Sequence, residues 1–148
     1  MAWIPMIPED KAETELREWY DKLREPWGGV DNIMKIHSIN IKTLKGHYEL
    51  YLSAMKGTRE LSHKQREMVA VVVSTVNQCH YRIIHHGAGH RKITNDGEFV
   101  KQFIRDYKTA PISEQDRKML EYSVKLSREP WNIAEADVQT LRNAGFSN

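Results

Sequence analysis

The sequence has few of the residues that mark specialised classes of protein. It contains one cysteine, Cys79, in 148 residues, which excludes an internal disulfide framework. The longest hydrophobic run, Met68–Val73, is far too short to cross a bilayer. Charge of one sign is not in excess either, because 22 basic residues face 20 acidic ones. We therefore expect neither nucleic acid nor a membrane as a partner.

The same absences bear on compartment and organisation. A lone cysteine suits a reducing compartment, and residues 1–8 lack the basic and apolar regions of a secretory signal, so we expect a cytoplasmic protein. No internal repeat, low-complexity tract or long linker divides the chain. Hydrophobic residues make up 40% of the chain, which is enough for a packed core. We predict a single domain over residues 1–148.

What the sequence does contain is the periodicity of helices. Apolar side chains recur three or four positions apart in several segments, and no alternating pattern is convincing as a strand. Glycine, asparagine and proline stand where these segments begin and end. The predicted fold class is all-α. Besides the two helices considered next, the helical pattern covers residues 9–24, 44–55, 99–107, 119–126 and 134–142.

The valine-rich segment Met68–Val73 fits either a buried strand or a buried helix. The preceding Ser62–Gln65 favours the helix, because these residues have the pattern of a capping box at a helix start. We predict a helix over about 62–76. Asn77 is then interpreted as a turn residue and the N-cap of a second helix over about 78–91. The two would form a buried helix hairpin.

Chemically active side chains concentrate on this hairpin. Four of the seven histidines and the only cysteine lie between residues 67 and 90. A helix turns by about 100° per residue, so part of this set shares one face of the second helix. This stripe of the second helix consists of Cys79, Arg82, Ile83, His86 and His90. If the two helices pack antiparallel, Glu67 on the first helix faces the stripe.

The stripe predicts a site in which a thiol, an imidazole and a carboxylate cooperate. Near a helix start, unpaired N–H groups and the helix dipole favour the thiolate form of Cys79, and Arg82 adds a positive charge one turn on. A carboxylate beside an imidazole orients and tunes a general base, and Glu67 and His86 fit these two parts. Each residue also has an ordinary interpretation, as a helix-start carboxylate, a small buried hydrophobe, a core histidine or a surface cation.

A metal site is a further possibility that the histidines raise. His86 and His90 are four positions apart, and Cys79 is on the same stripe. However, the sequence has no HExxH motif and no paired cysteines. We expect no native metal and no cofactor.

Two segments resemble one known family. Leu61–Ala70 (LSHKQREMVA) resembles the entry helix of alkylhydroperoxidase D-like proteins, a peroxidase-related branch of the carboxymuconolactone decarboxylase superfamily. Asn77–His86 (NQCHYRIIHH) is similar to the "NxCxYCxxHH" helix start of that family. The flanking segments Ile36–Ser38 and Ile112–Phe146 agree as well. The resemblance implies an all-α helical bundle that assembles as a homo-oligomer, usually a trimer or hexamer.

The resemblance also implies roles for individual residues. In active members a Glu and a His relay a proton to the second cysteine of a CxxC pair, which attacks a hydroperoxide before the first cysteine closes a disulfide. Glu67 and His86 match the relay, and Cys79 matches the first, resolving cysteine. Arg82 stands where the attacking cysteine belongs, so disulfide turnover within one subunit is excluded. Relatives often continue past the "AGFS" segment with further helices, so we expect a shorter bundle or one completed by another subunit.

Three functions remain open from the sequence. The first is a peroxidase-related oxidoreductase in which a hydroperoxide oxidises Cys79 alone and an external thiol reduces it. The second is a cysteine-independent, decarboxylase-like enzyme that acts on a small carboxylate through acid–base chemistry. The third is a non-catalytic oligomeric relative. The predicted catalytic residues are Glu67, Cys79 and His86, and the predicted substrate-binding residues are Arg82 and Tyr81.

Overall fold

The computed structural model describes residues 3–26, 28–57 and 60–147. Within these ranges the chain forms eight α-helices, three short 3-10 helices and no strand, which confirms the predicted all-α class. Trp27, in the turn that ends the first predicted helix, and Asn148 lie outside the described residues. No described helix combines the length and the apolar character that crossing a bilayer requires.

The helices follow the order of the predicted segments. The patterns predicted over residues 99–107 and 119–126 fall on two observed helices that begin earlier, after Asp96 and Ser113. The α-helices are α1 Thr14–Lys22, α2 Asn32–Lys35, α3 Ile41–Lys56, α4 His63–Val76, α5 His80–Thr94, α6 Gly97–Arg105, α7 Glu114–Arg128 and α8 Glu135–Asn143.

The helix predicted over residues 9–24 is interrupted in the structure. A short 3-10 turn comes first, and residues 12–13 are extended before α1 begins. Thr14, the first residue of α1, has φ +45°, in the left-handed region, and before the break the Glu9 carboxylate accepts the backbone N–H of Val30 at 3.1 Å and lies 3.3 Å from Lys35 Nζ. The segment therefore follows tertiary partners that helical periodicity does not show.

The contacts divide the chain into two units, over residues 1–57 and residues 58–148, and each has its own hydrophobic core. The core of the first unit includes Leu16, Tyr20, Val30, Met34 and Leu44. The core of the second unit includes Met68, Val71, Val72, Phe103, Met119 and Leu120. The α4–α5 hairpin lies entirely in the second unit.

The valine-rich segment is helical, as predicted, and its start is capped. The Ser62 hydroxyl accepts the N–H of Gln65 at 3.2 Å, and the Gln65 side-chain oxygen accepts the N–H of Ser62 at 2.9 Å. These bonds satisfy donors that a helix start leaves free. Met68 and Val71 are fully buried because α4 packs against both α5 and α7. Residues 68–73 are buried or half-buried on every side of the helix, which explains the unbroken apolar run.

The turn between the two helices differs from the prediction. Asn77 ends α4 as its C-cap and does not cap α5, which begins at His80. Gln78 is in the left-handed region with φ +52°, and the Cys79 N–H donates to the Ser74 carbonyl at 2.9 Å. The turn is therefore longer than predicted. Cys79 is itself the N-cap residue, and its thiol makes no capping hydrogen bond.

Candidate functional site

The centre of the candidate site is a hydrogen bond between α4 and α5. Glu67 Oε2 lies 3.0 Å from His86 Nδ1, and the two side chains are only 9% and 8% exposed. A carboxylate only accepts hydrogen bonds, so the imidazole Nδ1–H donates to it. In a neutral ring this leaves Nε2 without a hydrogen and able to accept a proton. The contact that the sequence predicted between these two residues is present.

A glycine allows α5 to approach the buried carboxylate closely. A Cβ atom at Gly89 would lie 3.2 Å from Cδ and from both carboxylate oxygens of Glu67. Side chains rarely come this close to a Cβ, so a larger residue at this position would have to displace the carboxylate. The backbone of α5 therefore packs directly on Glu67 and helps to hold it against His86.

Alanine substitution of this glycine should disturb the site and stabilise the fold less than the same substitution at an unhindered helical glycine. Gly46→Ala, on α3 where no described atom lies within 4 Å of the new Cβ, should raise the free energy of unfolding by about 0.5–1 kcal/mol. Gly89→Ala gains the same helix propensity but must displace Glu67, so we expect the free energy of unfolding to rise less than in Gly46→Ala, or to fall. Urea unfolding of the two variants measures the difference. Equal stabilisation by both would contradict the close packing described above.

A second imidazole lies at the other oxygen of Glu67. His63, the first residue of α4, has its Nε2 3.7 Å from Glu67 Oε1, and its side chain is 55% exposed. Glu67 therefore lies between an exposed imidazole and a buried one. Sequence reasoning assigned no function to His63, although residues four apart on a helix are neighbours and this spacing predicts the contact.

The other predicted residues lie around this pair without joining it. Cys79 is a free, half-buried thiol seven residues before His86, which corresponds to about 10 Å of helical rise. Arg82 is exposed, and none of the ion pairs found among the described residues includes it. Tyr81 is 41% exposed and stacks on His85, with ring centroids 6.1 Å apart. The structure thus brings Glu67 and His86 together but not the thiol or the guanidinium.

His90 differs from the other histidines of the hairpin because it is fully buried. Its ring meets the edges of Phe99 and Phe103, with centroids 5.5 and 5.3 Å away, and neither ring nitrogen has a hydrogen-bond partner among the residues described. Burial lowers the pKa of His90 below its ordinary value of 6.5, Lys64 lowers it further, and Glu67 opposes them. His90 is therefore a neutral core residue at neutral pH.

Neither a metal-binding cluster nor either of two cavities described in the second unit defines the site. In the described ranges, no group of three or more histidine, cysteine, aspartate or glutamate side chains is arranged to hold a metal ion. Two cavities of about 570 and 320 Å³ in the second unit are lined by other residues, and neither includes Glu67, Cys79, Arg82 or His86. The chemistry of the site therefore depends on the Glu67–His86 pair and its neighbours.

Comparison with known proteins identifies the family. The sequence model of the carboxymuconolactone decarboxylase family matches residues 44–98, which include the α4–α5 hairpin. An uncharacterized peroxidase-related protein from Silicibacter sp. TM1040 has a similar crystal structure, with a TM-score of 0.84 and 31% sequence identity. The match covers 97% of this chain and 78% of that chain.

A second crystal structure shares the fold at lower identity. It is described as an alkylhydroperoxidase AhpD core and as an uncharacterized peroxidase-related protein from Ralstonia eutropha JMP134. The TM-score is 0.85 and the identity 24%, over 97% of this chain and 76% of that chain. No protein of curated function matches the chain. From the family match, the 31% identity over nearly the whole chain and the shared fold, we conclude that this chain belongs to the carboxymuconolactone decarboxylase superfamily, among its alkylhydroperoxidase D-like, peroxidase-related proteins.

Proposed function

We propose that this protein is a diverged peroxidase-related enzyme in which the lone Cys79 reduces a hydroperoxide with the help of Glu67 and His86. The observation that carries the proposal is the buried hydrogen bond of 3.0 Å between Glu67 and His86. His86 is on α5, the helix whose N-cap residue is Cys79. A neutral imidazole that is oriented by a buried carboxylate is suited to both general base and general acid catalysis. Membership among the peroxidase-related proteins supports thiol chemistry of this kind.

The proposed reaction uses one thiol and one hydroperoxide. A water between the two side chains relays the thiol proton to His86 Nε2, and the Cys79 thiolate attacks the terminal peroxide oxygen. The S–O bond forms while the O–O bond breaks, and its electron pair leaves on the alkoxide, which receives a proton from His86. The hydroperoxide is reduced to an alcohol, and Cys79 is oxidised to a sulfenic acid. About two helical turns separate the two residues, so the peroxide would lie between the sulfur and the imidazole.

Turnover then needs a reductant from outside the chain. The sequence has no second cysteine, so the sulfenic acid has no thiol partner within the chain. A small external thiol would condense with it to a mixed disulfide and release water, and a second thiol would free Cys79 as the reductant leaves as a disulfide. Arg82, one turn into α5, would supply positive charge near the thiolate and the alkoxide, and Tyr81 would contact the organic group of the substrate.

Stoichiometric oxidation tests this function directly. Treatment with one equivalent of an organic hydroperoxide should add one oxygen atom to Cys79, and dimedone should trap the sulfenic acid. Mass spectrometry of the peptide that contains Cys79 measures both. Cys79→Ser should show neither product. Wild-type protein in which Cys79 stays unmodified while free cysteine in the same solution is oxidised would rule out the proposed reaction.

One observation favours a second candidate function. Arg82 is exposed, lacks an ion pair among the described side chains and lies one helical turn before His86. A guanidinium in that position suits a substrate carboxylate, with Glu67 and His86 acting as the acid–base pair. This chemistry would be that of a small-carboxylate enzyme without a cysteine, as in a lactone decarboxylase.

The two candidates respond in opposite ways to two substitutions. If Cys79→Ala keeps full activity on a small carboxylated lactone while Arg82→Ala loses it, the second function replaces the first. If Cys79→Ala abolishes hydroperoxide reduction, the first stands. Carboxylate binding that persists unchanged in Arg82→Ala and His86→Ala, with no turnover of either substrate, would leave only a binding protein.

A further inference from the structure

We propose that His63 is a proton-exchange residue that connects the buried Glu67–His86 pair to solvent. The inference extends the proposed function at the same site, but the proton path does not depend on which reaction the pair catalyses. It assigns a positioning role to a residue that does not touch the reacting atoms.

The three side chains form a continuous series from solvent to the interior. His63 is 55% exposed, whereas Glu67 is 9% and His86 8% exposed. Each oxygen of the carboxylate faces a different imidazole, with Oε1 3.7 Å from His63 Nε2 and Oε2 3.0 Å from His86 Nδ1. A rotation of the exposed His63 side chain that moves Nε2 by about 0.5 Å or slightly more brings the longer distance to hydrogen-bond length.

The geometry permits a balanced transfer of protons. When His86 Nε2 accepts a proton, its Nδ1 proton moves to Glu67 Oε2, and the carboxylate becomes a neutral carboxyl group. Rotation of this group about its Cγ–Cδ bond carries the proton to the side of His63, which accepts it on Nε2 and releases a proton to solvent. The same steps in reverse return a proton to Nδ1 when Nε2 gives one to a leaving group. Histidine suits the outer position because its ordinary pKa lies near neutrality, so that it both takes up and releases protons.

The remaining charged groups around the series lack this geometry. Glu67 also interacts with His90, which is fully buried between Phe99 and Phe103 and has no path to solvent through hydrogen bonds in the described residues. Lys64 acts on His90 through its charge. Gly89 covers the carboxylate with backbone and contributes no proton carrier. His63 is therefore the group placed to exchange protons with Glu67.

The exchange of imidazole hydrogens with water tests the proton path without any substrate. In protein labelled with ¹⁵N-histidine, NMR gives the rate at which the ring N–H of His86 exchanges with water. His63→Gln keeps a polar side chain but carries no exchangeable proton of suitable acidity, and we expect the exchange to slow about tenfold or more. Added free imidazole should restore the rate in this variant, because the vacated position is at the surface.

A matched control is available on the neighbouring helix. His80 is the first residue of α5 and is exposed, as His63 is on α4, so His80→Gln should leave the exchange of His86 unchanged. Unchanged exchange in His63→Gln, or slow exchange that imidazole does not restore, would overturn the proposal. If the exchange slows and imidazole restores it while Cys79 never reacts with peroxide, the proton path stands and only the proposed function fails.

Discussion

Replacement of Glu67 by glutamine is expected to slow the oxidation of Cys79 by a hydroperoxide about a hundredfold or more, the range that general acid–base catalysis supplies. Glutamine has nearly the shape of glutamate, and its amide oxygen can still accept the Nδ1–H of His86. It carries no negative charge, so it does not stabilise the imidazolium that forms when Nε2 takes a proton. Rapid mixing with dimedone trapping gives the rate of sulfenic acid formation.

The control for this substitution is a carboxylate outside the site. Glu114→Gln removes a 72% exposed carboxylate from α7 and should leave the oxidation rate unchanged. His86→Gln should slow the reaction as Glu67→Gln does. Because the two side chains act as one unit, the double variant should be little slower than either single variant. A Glu67→Gln protein that oxidises at the wild-type rate would show that the buried pair has no part in the thiol reaction.

The second large effect concerns stability in acid and originates at His90. Because burial lowers the pKa of His90, the folded protein holds this ring neutral, whereas the unfolded chain protonates it near the ordinary value of 6.5. The unfolded state therefore binds the extra proton. The contribution of His90 to stability is complete above pH 6.5 and is lost as pH falls from there to its lower folded pKa. Within that interval the loss is about 1.4 kcal/mol per pH unit.

His90→Leu should remove this part of the acid sensitivity. Leucine also leaves no unpaired ring nitrogen beside Phe99 and Phe103, so stability at neutral pH should rise by about 1–3 kcal/mol, less any cost of repacking. Urea unfolding between pH 4.5 and 7.5 gives both quantities for the wild type, for His90→Leu and for His80→Gln, which removes an exposed imidazole from the same helix. Curves for wild type and His90→Leu that run parallel in acid would contradict the assignment.

The sequence predicted best those features that depend on neighbouring residues. The capping box at Ser62 and Gln65 is a local pattern, and it correctly decided between helix and strand for the valine-rich segment. The contact of Glu67 with His86 followed from helical spacing together with the assumption of an antiparallel hairpin. Both inferences use only the geometry of one helix and its immediate partner.

The features that the sequence did not show depend on unusual backbone or on distant partners. The left-handed Gln78 lengthens the turn and moves the start of α5 from residue 78 to His80, and a glutamine gives no signal for that conformation. The first predicted helix is broken at residues 12–13, and Glu9, before the break, binds the backbone N–H of Val30, 21 positions away. Arg82 is exposed although it shares a helical stripe with the buried His86. The sequence did not predict this difference, because a stripe does not show how far the neighbouring helix covers each of its residues.

The hairpin that carries the Glu67–His86 pair has a consequence for how the site arises and changes. The two residues are only 19 positions apart, on helices joined by one short turn, and such local contacts form early in folding because little chain must be closed between them. The contact is thus specified within one short continuous segment, and a change elsewhere in the chain reaches it only through the packing of that segment.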